Sequence, residues 1–122
     1  MALISRSDIY TLPSYSEGFS MSLLENLAAG NPVLITPGCN FPEVVQAGAG
    51  ICVEPQSSPL EEALGHLLDK STQDRQEMGA RGKALVKKSY SWDIQARKMI
   101  TVYRCILSGK TIPLFPEPAT IE

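Results

Sequence analysis

Metal-ligating and nucleophilic side chains are scarce in this chain of 122 residues, which has one histidine and three cysteines. Cys39, Cys52 and Cys105 are odd in number, far apart and without a C-x-x-C spacing. That supports neither a disulfide framework nor a zinc site, and each reads as a reduced packing residue. His66 falls opposite the apolar stripe of its predicted helix, with no carboxylate or hydroxyl placed to make it a base, so it reads as a surface histidine. No run of Lys or Arg occurs. The nearest, Lys83 to Lys88, fits a solvated helix face, which excludes the charge footprint of a nucleic-acid binder and a polybasic membrane-surface segment. No apolar stretch approaches the roughly 18 to 20 residues that span a bilayer. Met1 to Ser7 is too short for a signal peptide, and the expectation is a soluble, cytoplasmic protein with no transmembrane segment.

What is present describes an ordinary globular domain. Hydrophobic residues make up 43% and charged residues 20%, and a formal net charge of -2 points to no partner class. The length fits one compact unit, expected over residues 1–109, followed by an extended or disordered tail over 110–122, where TIPLFPEPATIE carries three prolines and no period. Asp8–Leu12, Pro32–Thr36 and Gly50–Val53 read as short strands closed by turn residues. Ser20–Ala29 repeats Leu23, Leu24, Leu27 and Ala28 at helical spacing and stops at Gly30, and Pro42–Gln46 reads as a second, shorter helix. Strand, helix, strand, helix, strand predicts an α/β fold, a short parallel sheet within a partial three-layer Rossmann-like unit.

The second half reads as helical. Ser57 or Ser58 is placed to cap a helix with the stripe Leu60, Ala63, Leu64, Leu67 and Leu68. A helix over Gln73–Lys88 contains Gly79 and Gly82, each costing about 1 kcal/mol relative to alanine, which implies close packing against a neighbour. Ser91 caps a last helix carrying Trp92, Ala96, Met99, Ile100, Tyr103, Ile106 and Leu107, and Tyr90 and Trp92 read as core anchors rather than a ligand-stacking platform. Three strands leave long open edges, so either something covers the first strand or an element is missing, and the chain is expected to self-associate through that edge as a homo-oligomer or to exchange elements with a neighbour.

The informative segment is PSYSEGFSMSLLENLAAGNP, Pro13 to Pro32, which joins the carboxyl end of a strand to a helix start, where open α/β sheets bind ligands. Gly18 is expected to let the turn bend sharply and approach a ligand. The amides of Phe19, Ser20 and Met21 then point outward from the helix start, and unpaired donors at the positive end of a helix dipole suit a diphosphate. Glu17 precedes the helix and Glu25 lies about five residues inside it, roughly 7 to 8 Å along the axis at 1.5 Å per residue. Carboxylates repel phosphates, so each Glu is better matched to neutral hydroxyls of a sugar or ribose. The spacing alone equally fits two dipole-favoured surface charges.

The string Glu17-Gly-Phe-Ser-Met-Ser-Leu-Leu-Glu25, set in LPSYSEGF and followed by LAAGNPVLITPG and PEVV, closely resembles the E-x7-E region of retaining GT-B glycosyltransferases of family GT4. The similarity continues through Gly50-Ile-Cys-Val, Pro-Leu-Glu-Glu-Ala-Leu and Tyr90-Ser91-Trp92, covering about residues 7 to 107. The resemblance implies the nucleotide-sugar-binding domain of a two-domain enzyme. Glu17 would be the catalytic-site glutamate touching donor sugar hydroxyls, and Gly18, Phe19, Ser20 and Met21 the donor-binding turn. Glu25 would bind ribose. It further implies retaining hexosyl transfer from a UDP- or GDP-sugar, no cofactor and no divalent metal, and a final helix that often crosses back to the other domain. By the same comparison, the earlier strands, the base-binding loop, the basic pair that neutralises the diphosphate and the acceptor-binding N-terminal domain are absent. The isolated chain is therefore expected to bind weakly, since each charge-assisted bond is worth about 1.5 to 3 kcal/mol, and to show no turnover. The full-length enzyme would be cytoplasmic or membrane-peripheral. Pro37-Gly38-Cys39-Asn40-Phe41 replaces the family's glycines near the donor sugar, which opens a role for Cys39 and Asn40 in sugar choice. A non-catalytic association module that keeps the fold, or a sugar-nucleotide epimerase fragment, are the competing readings.

Overall fold

The structure, a computed structural model, describes residues 3–115. Its sheet has three parallel strands, β1 (Tyr10–Leu12), β2 (Val33–Ile35) and β3 (Gly50–Cys52), in the order β1-β2-β3. Tyr10 pairs with Val33 and Leu12 with Ile35, while Val33 pairs with Gly50 and Ile35 with Cys52. All three residues of β2 are buried, as a central parallel strand covered on both faces requires. Its side chains alternate. Val33 and Ile35 enter a core with Leu23, Leu27, Phe41, Val44 and Leu85, whereas Leu34 faces the other way into Ala63, Leu67 and Met78.

The helices α1 (Met21–Ala29), α2 (Glu43–Gln46), α3 (Ser57–Asp69), α4 (Thr72–Ser89) and α5 (Trp92–Leu107) follow the expected order. Leu23 and Leu27 of α1, Val44 of α2 and Leu85 of α4 cover one face of the sheet, and Ala63 and Leu67 of α3 cover the other, which gives the three layers. Gly30 ends α1 at φ 93°, where only glycine is unstrained, and its N–H donates to the carbonyls of Asn26 and Leu27 at 3.1 and 3.0 Å. Asn31 locks that corner by donating from its Nδ2 to Asn26 Oδ1 and to the Ile4 carbonyl, both at 2.9 Å. Arg75 stitches α3 to α4 by donating from one nitrogen to the carbonyls of Leu67, Leu68 and Lys70 at 3.4, 3.1 and 2.7 Å.

Gly79 and Gly82 are where α4 meets α1. A Cβ on Gly79 would stand 1.8 Å from the Gly30 carbonyl oxygen, and one on Gly82 would stand 3.0 Å from Leu27 Cδ2. The expected close packing is therefore a contact between a helix face and the backbone that ends α1.

Four expectations fail in detail. Ser91 holds the N-cap position of α5, but its side chain makes no capping hydrogen bond. Neither Ser57 nor Ser58 caps α3: the helix starts at Ser57 itself, after an extended Gln56 that makes no side-chain cap. Leu68 is 60% exposed, because it lies at the margin of the stripe, beyond the layer that covers Leu67. Trp92 is no core anchor. It is 85% exposed, and α5 buries none of its residues, so Met99, Ile100, Tyr103, Ile106 and Leu107 present their apolar side chains outward among the described residues. Tyr90, by contrast, packs against the core. No described helix is long and apolar enough to cross a membrane. Residues 110–115 form neither helix nor strand, and residues 116–122 of the expected tail lie outside the described residues.

Candidate functional site

The loop from β1 to α1 is laced to the turn that follows β2. Thr36 Oγ1 donates to the Ser14 carbonyl, Cys39 Sγ to the Leu12 carbonyl at 3.3 Å, and the Glu17 N–H to the Gly38 carbonyl at 2.8 Å. Gly38 must be glycine there, since a Cβ would lie 2.3 Å from the Tyr15 carbonyl oxygen. Glu17 is half-buried and accepts a hydrogen bond from the Ser14 hydroxyl at 2.8 Å, which leaves its carboxylate held against this paired loop. Asn40, with φ 49°, donates weakly to the Glu17 carbonyl at 3.4 Å. Cys39 is buried with its sulfur turned to Leu12 and Thr36, so it is placed for packing and not for contact with a bound sugar.

Ser20 is the N-cap of α1. Its extended backbone (φ -79°, ψ 105°) starts the helix, and its hydroxyl accepts from the Leu23 N–H at 3.3 Å. A chain of hydroxyls, Tyr10 to Ser22 at 2.7 Å and Ser22 to Ser20 at 3.1 Å, ties that turn to β1. The amides of Phe19, Ser20 and Met21 meet no acceptor among the described residues. The cap thus satisfies an amide deeper in the helix and leaves the first ones open, at the carboxyl end of β1.

Gly18 departs from its expected role. Gly30, Gly48 and Gly109 carry positive φ and Gly18 does not, so no sharp bend demands glycine; instead a Cβ there would meet nothing within 4 Å. The missing side chain leaves open space in front of the free amides. Gly18→Ala is accordingly expected to leave thermal stability within about 0.5 kcal/mol of wild type, as surface changes do. A melting curve checks this, and a loss above about 1 kcal/mol would contradict the open geometry.

Phe19, Met21 and Glu25 line one largely apolar groove of about 580 Å³, completed across from α1 by Tyr90, Trp92 and Lys98. Glu17 is not among its lining residues. The structure therefore brings Phe19, Met21 and Glu25 together along one groove, while Glu17 lies outside its lining, held against the loop after β2. Phe41 and the junction between α4 and α5 are contributors that sequence periodicity does not reveal, because their contacts with Phe19 join residues far apart in the chain.

Among the cysteines, Cys52 is exposed rather than packed. Partial burial, then the neighbouring Cys39 and Glu54, push its thiol above the ordinary value. It stays protonated at neutral pH and is a poor nucleophile. No group of His, Cys, Asp or Glu among the described residues is arranged to hold a metal ion.

An open parallel sheet with free helix-start amides beyond the end of a strand defines an α/β domain of the kind that binds ligands at its carboxyl edge. The sequence model for glycosyl transferases group 1 matches residues 1–85, and the chain belongs to that family. It is 30% identical over 105 residues to MMP alpha-(1->4)-mannosyltransferase of Mycolicibacterium hassiacum, spanning 84% of this chain and 25% of that protein. It is 33% identical over 109 residues to D-inositol 3-phosphate glycosyltransferase of Paenarthrobacter aurescens, spanning 88% and 26%. A GDP-mannose-dependent phosphatidylinositol monomannoside mannosyltransferase of Corynebacterium glutamicum is 31% identical over 107 residues, spanning 81% and 28%. The solved sucrose-phosphate synthase of Thermosynechococcus elongatus superposes with a TM-score of 0.81 at 24% identity, over 88% of this chain and 27% of that one, which shows the GT-B fold. The chain thus spans about a quarter of the length of these relatives.

Proposed function

We propose that this chain forms the nucleotide-sugar-binding wall of a retaining hexosyltransferase working in the cytoplasm. The observation that carries the reading is the set of open amides at Phe19, Ser20 and Met21, with Glu17 on the loop that leads into them and Glu25 lining the groove that Phe19 and Met21 share. In this reading the amides donate to the diphosphate oxygens of a UDP- or GDP-hexose, Glu17 takes hydroxyls of the donor sugar and Glu25 takes the ribose. During transfer the bond from the anomeric carbon to the diphosphate breaks, a bond to an acceptor hydroxyl forms, and the acceptor proton is released. The peptide N–H groups and the helix dipole meet the charge growing on the leaving diphosphate, so no metal ion or cofactor is assigned a role. The acceptor has no assigned residues, and the chain by itself is read as catalytically silent. Two relatives are mannosyltransferases, one of them GDP-mannose-dependent, which supports a hexosyl donor.

Met21→Pro is the test. Met21 is the first residue of α1 and Ser20 is already extended, so proline fits both its own position and the residue before it while deleting one N–H. Titration of the 122-residue chain with UDP-glucose and GDP-mannose, followed by amide shifts, is expected to move Phe19 to Met21 in the wild type. The proline variant should lose about 10- to 100-fold in affinity, the equivalent of one charge-assisted bond of roughly 1.5 to 3 kcal/mol. Silence at these amides in the wild type would defeat the reading and leave a module that keeps the fold for association.

A further inference from the structure

Three aromatic rings meet beside the open amides. Phe19 stands edge-on to Phe41 at 6.1 Å and tilted on Tyr90 at 5.8 Å, and Phe41 and Tyr90 are 5.2 Å apart. They come from the start of α1, the turn before α2 and the end of α4. Phe41 is 6% exposed and seated in the main core, whereas Phe19 is 55% exposed, so the core holds the first ring and the first ring holds the last. Tyr90 is the middle piece. Its N–H donates to the Val86 carbonyl at 2.8 Å, which anchors it as the cap of α4, and its hydroxyl donates to Glu43 Oε1 at 3.3 Å in the first turn of α2.

The backbone of Phe19 has few other restraints. Among the described residues its amide makes no bond and Gly18 before it has open space; the nearest ties are at Glu17 on the strand side and at Ser20 on the helix side, whose carbonyl accepts from the Leu24 N–H at 3.2 Å and whose hydroxyl meets Ser22 and the Leu23 N–H. We infer that the ring of Tyr90 is a positioning element, which fixes the backbone at Phe19 and thereby aims the open amides of Phe19, Ser20 and Met21. Because α5 begins two residues later, at Trp92, whatever displaces α5 acts on those amides through the same ring. The inference rests on the donor-site reading only for its ligand arm.

The test compares Tyr90→Leu, which removes the ring, with Tyr90→Phe, which keeps it and removes only the hydroxyl. Leu34→Val serves as a mildly destabilised control on the opposite face of the sheet. Backbone order parameters from nitrogen relaxation are measured well below each melting temperature. In Tyr90→Leu, residues 18–21 are expected to fall from about 0.85 towards 0.6 or below, with β2 and the middle of α1 unchanged. Tyr90→Phe and Leu34→Val should keep wild-type order. The inference is overturned if Tyr90→Leu leaves residues 18–21 rigid, if Leu34→Val loosens them as much, or if Tyr90→Phe does so. Titration with UDP-glucose and GDP-mannose adds the second arm, with about 10-fold weaker binding for Tyr90→Leu and less than about 2-fold for Tyr90→Phe, a tenfold change being 1.4 kcal/mol. Loosening without weaker binding also overturns it. If the wild type binds neither probe, the donor-site reading falls while the order parameters still decide this one.

Discussion

Replacing Gly79 with alanine should cost about 3 kcal/mol or more of unfolding free energy, the upper range for overpacking a tight contact. The added methyl would stand 1.8 Å from the Gly30 carbonyl oxygen, 2.7 Å from its carbonyl carbon and 3.3 Å from its Cα. These are backbone atoms that cannot rotate away. They are fixed by the two hydrogen bonds from the Gly30 N–H and by the Asn31 link to Asn26 and Ile4. Relief requires α4 to move off α1, which opens the layer that Leu27 and Leu85 fill. Alanine is the better helix former by about 1 kcal/mol, so the gain in propensity opposes the loss and does not cover it. Denaturant unfolding followed by circular dichroism gives the value, and an unchanged or higher midpoint would mean that the two helices do not touch as described. Gly82→Ala is the milder neighbour, since its Cβ would meet the end of a leucine side chain at 3.0 Å, and that side chain can adjust.

Truncating Leu27 to alanine is the second large loss, about 2 to 5 kcal/mol. Its side chain is fully buried and packs in the core that unites α1, β2, α2 and α4, so removal takes away apolar transfer energy and leaves a cavity that the surrounding layers close only in part. Leu68→Ala is the matched comparison. Leu68 has the same side chain and belongs to the expected stripe of α3, yet at 60% exposure it should cost within about 0.5 kcal/mol. Thermal unfolding of the two variants decides the matter. Similar losses at both positions would place Leu68 in the core and contradict the orientation of α3.

Those two leucines also mark how far local pattern reaches. Helical spacing finds the inward stripe of α3 at Leu60, Ala63, Leu64 and Leu67, because burial there follows the helix period over two turns. It cannot say where the covering layer ends, and Leu68 falls beyond it. The same limit explains α5. Trp92, Met99, Ile100, Tyr103 and Leu107 repeat at the spacing of a buried face, but burial needs a close opposing surface, and the described residues bury none of these side chains. The succession of strands and helices in a parallel sheet and the stop at Gly30 were legible from local pattern, and Gly79 and Gly82 signalled close packing without naming the neighbour, the backbone that ends α1. Gly18 shows the reverse. Glycine invites the reading of a bend, and only the dihedral angles distinguish a bend from an empty space.

At the candidate site, the open amides after Gly18 were readable from the turn residues that start α1, whereas the cap at Ser20 emerged only with the structure. The groove was not. It arises because the end of α4 returns to the start of α1, so that Tyr90 and Trp92 stand opposite Met21 and Glu25, which no spacing between near neighbours encodes.

The sheet order carries one more consequence. In doubly wound sheets the ligand crevice opens where the chain reverses its direction of travel across the sheet, so that helices diverge to opposite faces on either side of it. Here the strands advance steadily as β1-β2-β3 with no reversal among the described residues, and the open amides sit beside the outermost, β1. If the donor-site reading holds, such a reversal would fall at the outer edge of β1, where the described residues would furnish one bank of the crevice and a strand laid against that edge the other.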